Sequence, residues 1–158
     1  LEPLENAQPT NFCIGIAGYP EKHYEAPNFN KDLQYLKKKA DEGAHYIITQ
    51  MFFDFNVYKN FVEQARDVGI SIPIIPGIKP ITTLGQLSSL PRDFHIVLPS
   101  ELVESMEAAK SPSEIRKAGI EFVSKLCQKL IDFRVPGIHI YTMGKGTATQ
   151  ELLTRIFK

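Results

Sequence analysis

The ten residues from His45 to Asp54 constrain the fold more than any other part of this chain. They read HYIITQMFFD, and their apolar members are mostly β-branched or aromatic. The run is too short for a typical helix, whereas its composition suits a strand buried on both faces, as in a parallel sheet. Gln50 interrupts it, and burying an amide without partners costs roughly 1–3 kcal/mol. Gln50 is therefore either a satisfied core amide or a ligand-facing group at a strand end.

The rest of the chain alternates similar apolar runs with amphipathic segments. Strands are predicted at residues 11–18, 45–54, 72–76 and 135–143. Helices are predicted at about residues 31–41, 57–68, 83–90, 100–109, 113–133 and 147–157. Asn30, Ser100 and Ser113 are expected to begin three of these helices, Pro91 to end another, and Gly119 to permit close packing. Residues 93–99 are also compatible with a short strand.

Alternating strands and helices indicate an α/β fold with a parallel sheet and helices packed outside it. We expect parallel (βα) units that form about half of a TIM (β/α)8 barrel, because a complete barrel takes at least about 200 residues. The chain has 158. It is then a fragment, or a second copy or another chain completes its sheet, or it forms a small open α/β sheet instead.

A polar, aromatic or Gly/Pro-rich patch follows each predicted strand. In parallel α/β folds the carboxyl ends of the strands lie at one edge and carry the chemistry, so four such patches in register predict a ligand-binding face. On this basis we favour the ligand-facing role for Gln50. The patches are Tyr19 to His23, Gln50 to Asp54, Gly77 to Pro80, and Tyr141 to Lys145.

Composition narrows the class of protein. Lys plus Arg equals Asp plus Glu at 18 each, so no basic surplus favours nucleic-acid binding. No apolar run approaches the roughly 20 residues that span a bilayer. The spacing of His, Cys and acidic residues matches no metal site.

Residues 1–10 are expected to be a linker or an expression remnant, and they lack the pattern of a signal peptide. Cys13 and Cys127 are predicted to be buried free thiols in a reducing compartment, the cytoplasm.

Several longer motifs resemble one family. They are AGYPEKHYEAPNFNKDLQYLKKKADEGAHYIITQMFFD (17–54), IPIIPGIKPI (72–81), IRKAGIEFVSKLCQKL (115–130) and VPGIHIYTM (135–143). Together they resemble methylenetetrahydrofolate reductase, and the similarity covers the chain from about residue 11. The resemblance implies the C-terminal half of the catalytic barrel, strands five to eight. It also implies FAD-dependent reduction of 5,10-methylenetetrahydrofolate to 5-methyltetrahydrofolate, with NADPH or NADH as donor.

The same resemblance assigns residues to ligands. The cofactor-binding set for FAD is Tyr19, His23, Ala26, Asp32, Tyr35, Lys38 and Lys39. The substrate-binding set is Gln50, Gln86, Tyr141 and Lys145. In this set Gln50 is expected to contact the nicotinamide or the pterin, and Gln86 the pterin ring system. Lys145 stands where bacterial members have Arg, and it is expected to meet a folate carboxylate as a point charge. The family's glutamate acid has no counterpart here, so no catalytic residue is assigned and the isolated chain is expected to be inactive.

Structural roles remain open for several of these residues. His23 lies in a polar loop, where it could simply be solvated. Asp32 suits the first turn of a helix, where a carboxylate is favourable without any ligand. Lys38 belongs to a run of three lysines that would ordinarily form a solvated helix face, and Lys39 is the one of the three that we favour as a ligand contact. Asp54 is expected to be structural. His139 alternates with its apolar neighbours and is expected in the core or at an interface.

Two other functions are compatible with the sequence. One is a non-catalytic half-barrel scaffold or subunit that self-associates or completes another chain; pairing with the missing half-barrel or a homo-oligomer is expected in either case. The other is a barrel enzyme that binds a phosphorylated ligand near Gly144 to Thr147, where a Gly-rich turn meets a helix N-terminus. No nucleic-acid or membrane partner is expected.

Overall fold

The computed structural model describes residues 11–157, which form one parallel four-stranded sheet in the order β1-β2-β3-β4. Six helices of this part of the chain accompany it. The strands are β1 (Gly15–Gly18), β2 (Tyr46–Met51), β3 (Ile74–Ile78) and β4 (His139–Ile140). The helices are α1 (Phe29–Asp41), α2 (Phe55–Asp67), α3 (Gly85–Phe94), α4 (Ser100–Glu107), α5 (Pro112–Asp132) and α6 (Gly146–Ile156).

The strand order determines where the helices lie. Each strand pairs with the next one along the chain, so every crossover runs in the same direction, and right-handed crossovers then place all helices on one face. This is the arrangement of half a (β/α)8 barrel, and the predicted fold class is confirmed. A doubly wound sheet would need the direction of the crossovers to reverse.

The two faces of β2 are not equally covered, which corrects the expected burial on both. Ile47, Thr49 and Met51 are buried, whereas Tyr46, Ile48 and Gln50 are only half-buried. The helices cover the first set. In the described residues no second layer covers the other face, which corresponds to the inside of a barrel.

The core lies between the sheet and the helices. Helix α2 contributes Tyr58, Phe61 and Ala65 from one stripe at helical spacing. The Tyr58 ring stacks on Phe52 with 5.2 Å between centroids, and its hydroxyl donates to the Ile74 carbonyl at 2.7 Å. Burial of each large side chain stabilises the fold by roughly 1.5–3 kcal/mol.

The small residue predicted to allow close packing in α5 does so. Gly119 is buried, and a side chain on it would collide with the Ile81 carbonyl oxygen. Helix α5 therefore passes directly against the segment that follows β3, and this contact holds the loop of residues 79–84 at the end of the sheet.

Three helix starts differ from the prediction. The α1 cap is Asn28, whose Oδ1 accepts from Lys31 N at 2.9 Å, and not Asn30. The α5 cap is Ser111, whose Oγ accepts from Glu114 N, and not Ser113. Ser100 is the first residue of α4 and makes no capping bond. For α1 and α5 two Asn or two Ser residues lie close together, and only the tertiary path of the chain selects between them.

The segment between β3 and α5 was predicted least well. Helix α3 continues through Pro91 to Phe94 and ends at His95, which has a φ of 53°. Proline removes one helical hydrogen bond, and the helix tolerates this loss near its C-terminal end. Residues 95–99 form no strand.

The remaining differences concern strand lengths and one thiol. Strand β3 lies two residues later than predicted, and β4 has only two residues, His139 and Ile140, which pair with Gly77 and Ile78 of β3. Cys127 is buried, which raises its pKa to about 12, but Cys13 is exposed, contrary to the prediction. Residues 1–10, expected to be a linker, lie outside the described part. Within that part no helix is both long and apolar enough to cross a bilayer.

Candidate functional site

A bulge interrupts the pairing of β2 with β3 at the carboxyl end of the sheet. Ile48 pairs with Ile75, but the next pair is Met51 with Gly77, so β2 carries one extra residue between them. At the bulge the Thr49 side-chain Oγ1, in place of a backbone carbonyl, accepts a hydrogen bond from the Gly77 N–H at 2.9 Å. Bulges of this kind often lie beside active sites because they redirect side chains and carbonyl groups.

The carbonyl freed by the bulge is held by Tyr141, which follows β4. The Tyr141 hydroxyl donates to Thr49 O at 2.9 Å. The ring passes over Gly77, where a Cβ atom would be 2.6 Å from Tyr141 Cε2. A glycine at residue 77 is therefore required for Tyr141 to cross β3 and reach β2. His139 packs edge-on against the same ring, with 4.6 Å between centroids.

Gln50 and Tyr19 line one shallow cleft beside this contact. Glu21 and the end of α3 complete its walls. The Gln50 Oε1 accepts from the Met51 N–H at 3.0 Å, which leaves its NH2 group to donate to another group. Burial raises the pKa of Tyr141, and the proximity of Tyr19 raises it further. The ends of β1, β2 and β4 thus meet at one face, as predicted.

The Glu21 carboxylate is part of the wall of this cleft. Its Oε2 accepts from Val97 N at 2.7 Å, which ties the β1 loop to the segment after α3. Burial raises the pKa of Glu21, and the neighbouring Asp54 acts in the same direction, while the Val97 N–H opposes both. Asp54 itself caps α2 through Asn56 N at 2.8 Å, so its predicted structural role is confirmed.

A cavity of about 190 Å³ brings together three predicted substrate residues, Gln86, Tyr141 and Lys145. The Gln86 Oε1 accepts from Thr82 N at 2.7 Å and Thr83 N at 3.1 Å. Its oxygen therefore holds the loop, and its NH2 group remains as a donor. The fourth predicted substrate residue, Gln50, lines the neighbouring cleft and not this cavity.

Four of the predicted cofactor residues form a cluster after β1. The rings of Tyr19 and His23 meet edge-on at 4.5 Å. Asp32 Oδ2 accepts from His23 N at 2.8 Å, so this carboxylate shapes the loop. Burial raises the pKa of Tyr19, and the Asp32 charge adds to the effect. Ala26 is buried and bonds to the His23 carbonyl through its N–H.

The other three predicted cofactor residues line a separate groove of about 400 Å³ along the free edge of β1. Tyr35, Lys38 and Lys39 form its wall from α1, and Ile14 and Ile16 contribute apolar surface. Lys39 Nζ lies 3.3 Å from the Ala17 carbonyl on that edge. The groove presents apolar surface, two ammonium groups and the Glu42 carboxylate beside the strand edge where a further strand would pair.

Comparison with known proteins identifies the family. The family model described as methylenetetrahydrofolate reductase matches residues 2–156. This chain belongs to the methylenetetrahydrofolate reductase family. The predicted resemblance is confirmed.

Individual relatives cover most of this chain. Methylenetetrahydrofolate reductase 2 of Saccharomyces cerevisiae is 41% identical over 150 residues, which are 92% of this chain and 25% of that protein. The probable methylenetetrahydrofolate reductase (NADPH) of Caenorhabditis elegans is 38% identical over 144 residues, 90% of this chain and 22% of that protein. The Arabidopsis thaliana methylenetetrahydrofolate reductase (NADH) 1 is 36% identical over 142 residues, 84% and 24% respectively. The chain thus spans about a quarter of the length of these relatives.

A solved structure shares the fold. It is described as an uncharacterized protein from Clostridium thermocellum that binds two copies of 5-methyl-5,6,7,8-tetrahydrofolic acid. The TM-score is 0.63 at 17% identity, over 90% of this chain and 52% of the other.

Three residues of the candidate site, Thr49, Lys79 and Thr149, were not singled out from the sequence. The patch from Gly77 to Pro80 was singled out, but Lys79 was not, although a lysine inside the apolar run IPIIPGIKPI is an available signal. Thr49 was passed over because nothing in the sequence marks the bulge. Thr149 was passed over because a threonine in a helix is unremarkable. His139 was assigned to the core or an interface; it is half-buried and packs against the Tyr141 ring. Among residues 11–157 no cluster of side chains could hold a metal ion.

Proposed function

We propose that the protein containing this chain is an FAD-dependent enzyme that reduces 5,10-methylenetetrahydrofolate to 5-methyltetrahydrofolate with NADPH or NADH. Family membership supports the reaction, since the relatives carry that name. The observation that carries the proposal at residue level is the meeting of three strand ends around the Tyr141–Thr49 bond, with Gln50 and Tyr19 in one cleft and Gln86 and Lys145 in the adjoining cavity.

When bound, FAD supplies hydride transfer, and the protein supplies binding and orientation. Tyr35, Lys38 and Lys39 of α1 would contact the dinucleotide, with the two ammonium groups placed to offset its pyrophosphate charge. The Tyr19 and His23 rings, which meet edge-on, would form a wall beside it. Asp32 keeps that wall in place through the His23 backbone bond.

The folate would occupy the cleft and cavity at the carboxyl end of the sheet. The free NH2 groups of Gln50 and Gln86 are hydrogen-bond donors suited to the polar edge of a pterin. Lys145 is placed to meet a carboxylate. The folate-binding title of the structural neighbour supports this class of ligand. The donor dinucleotide is either NADPH or NADH, because relatives named for each match this chain equally well.

We also propose that the half-open face of the sheet is closed by the rest of the same protein, as half of a barrel. The relatives are about four times as long as this chain, and β1 and β4 are both edge strands. The acid that activates the folate would then come from the other half. The free thiols of Cys13 and Cys127 support a cytoplasmic location.

Gln50 provides the test. In the full-length protein, Gln50→Ala should lower the rate of folate reduction by about tenfold, the usual effect of losing one hydrogen bond to substrate. The flavin absorbance per protein should stay unchanged. Gln64→Ala on the exposed face of α2 is the matched control. A colourless full-length protein, or one whose flavin is reduced by NADPH or NADH but never reoxidised by methylenetetrahydrofolate, would refute the proposed reaction.

A further inference from the structure

Thr49 places a hydroxyl on an otherwise apolar face of β2. Its two companions on that face are Ile47 and Met51, and all three side chains are almost fully buried against the helices. A buried hydroxyl is costly unless it is hydrogen-bonded. Thr49 Oγ1 accepts the Gly77 N–H at 2.9 Å, whereas a valine would fill the same space without needing a partner. The hydroxyl at this position is therefore explained by the contact with Gly77 and not by packing.

This hydroxyl sustains the bulge in β2. In an unbroken register Gln50 would pair with Gly77, whereas the structure pairs Met51 there. Because the side chain of Thr49 accepts the Gly77 N–H, the backbone carbonyl of Thr49 is free to turn out of the plane of the sheet. A Cβ atom on Gly77 would collide with that carbonyl oxygen, so the carbonyl lies over the glycine. The peptide group between Thr49 and Gln50 is thus displaced from its place in a regular ladder.

The displaced peptide group sets the orientation of the Gln50 amide. On one side, the Tyr141 hydroxyl donates to the Thr49 carbonyl at 2.9 Å. On the other side, the Met51 N–H donates to Gln50 Oε1 at 3.0 Å, so the amide oxygen is engaged by the backbone and the NH2 group is the part left for a ligand. Gln50 lines the cleft at the carboxyl end of the sheet. Three hydrogen bonds around one peptide group therefore fix where this amide donates.

We propose that Thr49 is a positioning residue for Gln50: its hydroxyl keeps the bulge in place, and the bulge directs the Gln50 amide toward the ligand in the cleft. The inference rests on the proposed function for the identity of that ligand. Thr49 is buried and is not among the residues that line the cleft, so it acts on the ligand only through Gln50. Loss of the hydroxyl should then affect catalysis in the same way as loss of the Gln50 amide, and the two losses should not add.

Thr49→Val tests this role in the full-length protein, because valine keeps the shape of the side chain and removes the acceptor. The kcat/KM for methylenetetrahydrofolate should fall by about tenfold, as for Gln50→Ala, with the same division between kcat and KM. Thr49→Ser keeps the hydroxyl and should restore most of the activity. Tyr58→Phe is the control, because it removes another buried hydroxyl, which donates to the Ile74 carbonyl at 2.7 Å, and it should leave kcat/KM unchanged.

The double variant of Thr49→Val and Gln50→Ala decides whether the two residues act as a unit. Its kcat/KM should equal that of Gln50→Ala alone, whereas independent roles would multiply the two losses to about a hundredfold. A multiplied loss would overturn the inference, and so would a Thr49→Val protein that is less stable but fully active. Thr49→Ala takes the place of Thr49→Val in the same cycle if the valine variant does not fold.

A crystal structure of the full-length Thr49→Val protein gives a readout that does not depend on the reaction. Either β2 should pair with β3 in an unbroken register, or Gln50 Oε1 should no longer accept from the Met51 N–H. An unchanged bulge with an unchanged Gln50 amide would refute the positioning role even if the activity fell. If the unaltered protein does not reduce methylenetetrahydrofolate, the proposed function fails, and this structural comparison alone judges the role of Thr49.

Discussion

The Tyr141 hydroxyl donates a hydrogen bond to the Thr49 carbonyl at 2.9 Å, although 92 residues separate the two in sequence. This bond joins the end of β4 to the bulge in β2 and crosses β3 between them. Tyr19 lies close enough to raise the pKa of Tyr141. The contact therefore gathers three strand ends, and the proposed ligand-binding face is built around it.

Tyr141→Phe tests the contribution of this bond. The variant keeps the ring over Gly77 and loses the donor, so the free energy of unfolding should fall by about 1 kcal/mol. Urea denaturation measures the change. Tyr24→Phe, which removes an exposed hydroxyl bonded to Glu25, is the control and should change stability by less than about 0.5 kcal/mol. Equal effects of the two variants would contradict the structural role given to Tyr141.

Gly77→Ala tests the close crossing. A methyl group at residue 77 would collide with the Thr49 carbonyl and the Tyr141 ring, so stability should fall by roughly 1–3 kcal/mol. Gly85→Ala is the matched control, because nothing lies within 4 Å of its added Cβ atom and alanine favours the helix it begins. The thermal midpoint should therefore drop for Gly77→Ala and stay level or rise for Gly85→Ala.

The pH dependence of Lys79→Met tests the buried charge. Burial and Lys145 lower the pKa of Lys79 in the folded protein, so at neutral pH the folded state bears the cost of a charge that the unfolded state solvates. Lys79→Met should then be more stable than the unaltered protein at pH 7, by about 1–3 kcal/mol. The difference should shrink as pH rises through the lowered folded pKa toward 10.5, where Lys79 becomes neutral in both states.

Urea denaturation of the unaltered protein and of Lys79→Met from pH 7 to pH 10.5 measures the contribution of Lys79, because all other lysines are common to the two proteins. Tyr141 and Lys145 are the other titratable groups that line the same cavity as Lys79. A stability difference independent of pH would show that Lys79 is already neutral or paired at pH 7.

Two substitutions of Asp32 distinguish the hydrogen bond that it accepts from the His23 backbone from the effect of its negative charge. Asp32→Ala removes the acceptor for His23 N and should weaken FAD binding about tenfold, because the Tyr19–His23 wall loses its support. Asp32→Asn keeps an acceptor oxygen and should weaken it less. FAD titration of the flavin-depleted full-length protein gives both constants. Asp67→Ala at the exposed end of α2 is the control, and unaltered binding by Asp32→Ala would refute the role.

The number and order of the strands and main helices could be predicted from the sequence, because helical and strand periodicities are local properties of a chain. It also located the four strand-end patches, whose convergence follows from parallel pairing alone. Gly119 was predictable for the same reason, as a small residue on the buried stripe of α5. Asn28 and Ser111 were not selected as caps, because neighbouring Asn and Ser residues are locally equivalent.

Three features could be found only in the folded chain: the bulge at Thr49, the crossing of Tyr141 over Gly77 and the burial of Lys79. Each depends on the register between strands that are distant in sequence, and one residue of slip would change the neighbours of every side chain involved. A lysine is exposed or buried according to what packs on it. The residues that surround Lys79 belong to α3, to α6 and to the end of β4, three segments that follow it in the chain and are far apart from one another in sequence. The burial of Lys79 at the candidate site is therefore a consequence of tertiary packing. The position of the site at the carboxyl end of the sheet follows from the alternation of strands and helices along the sequence.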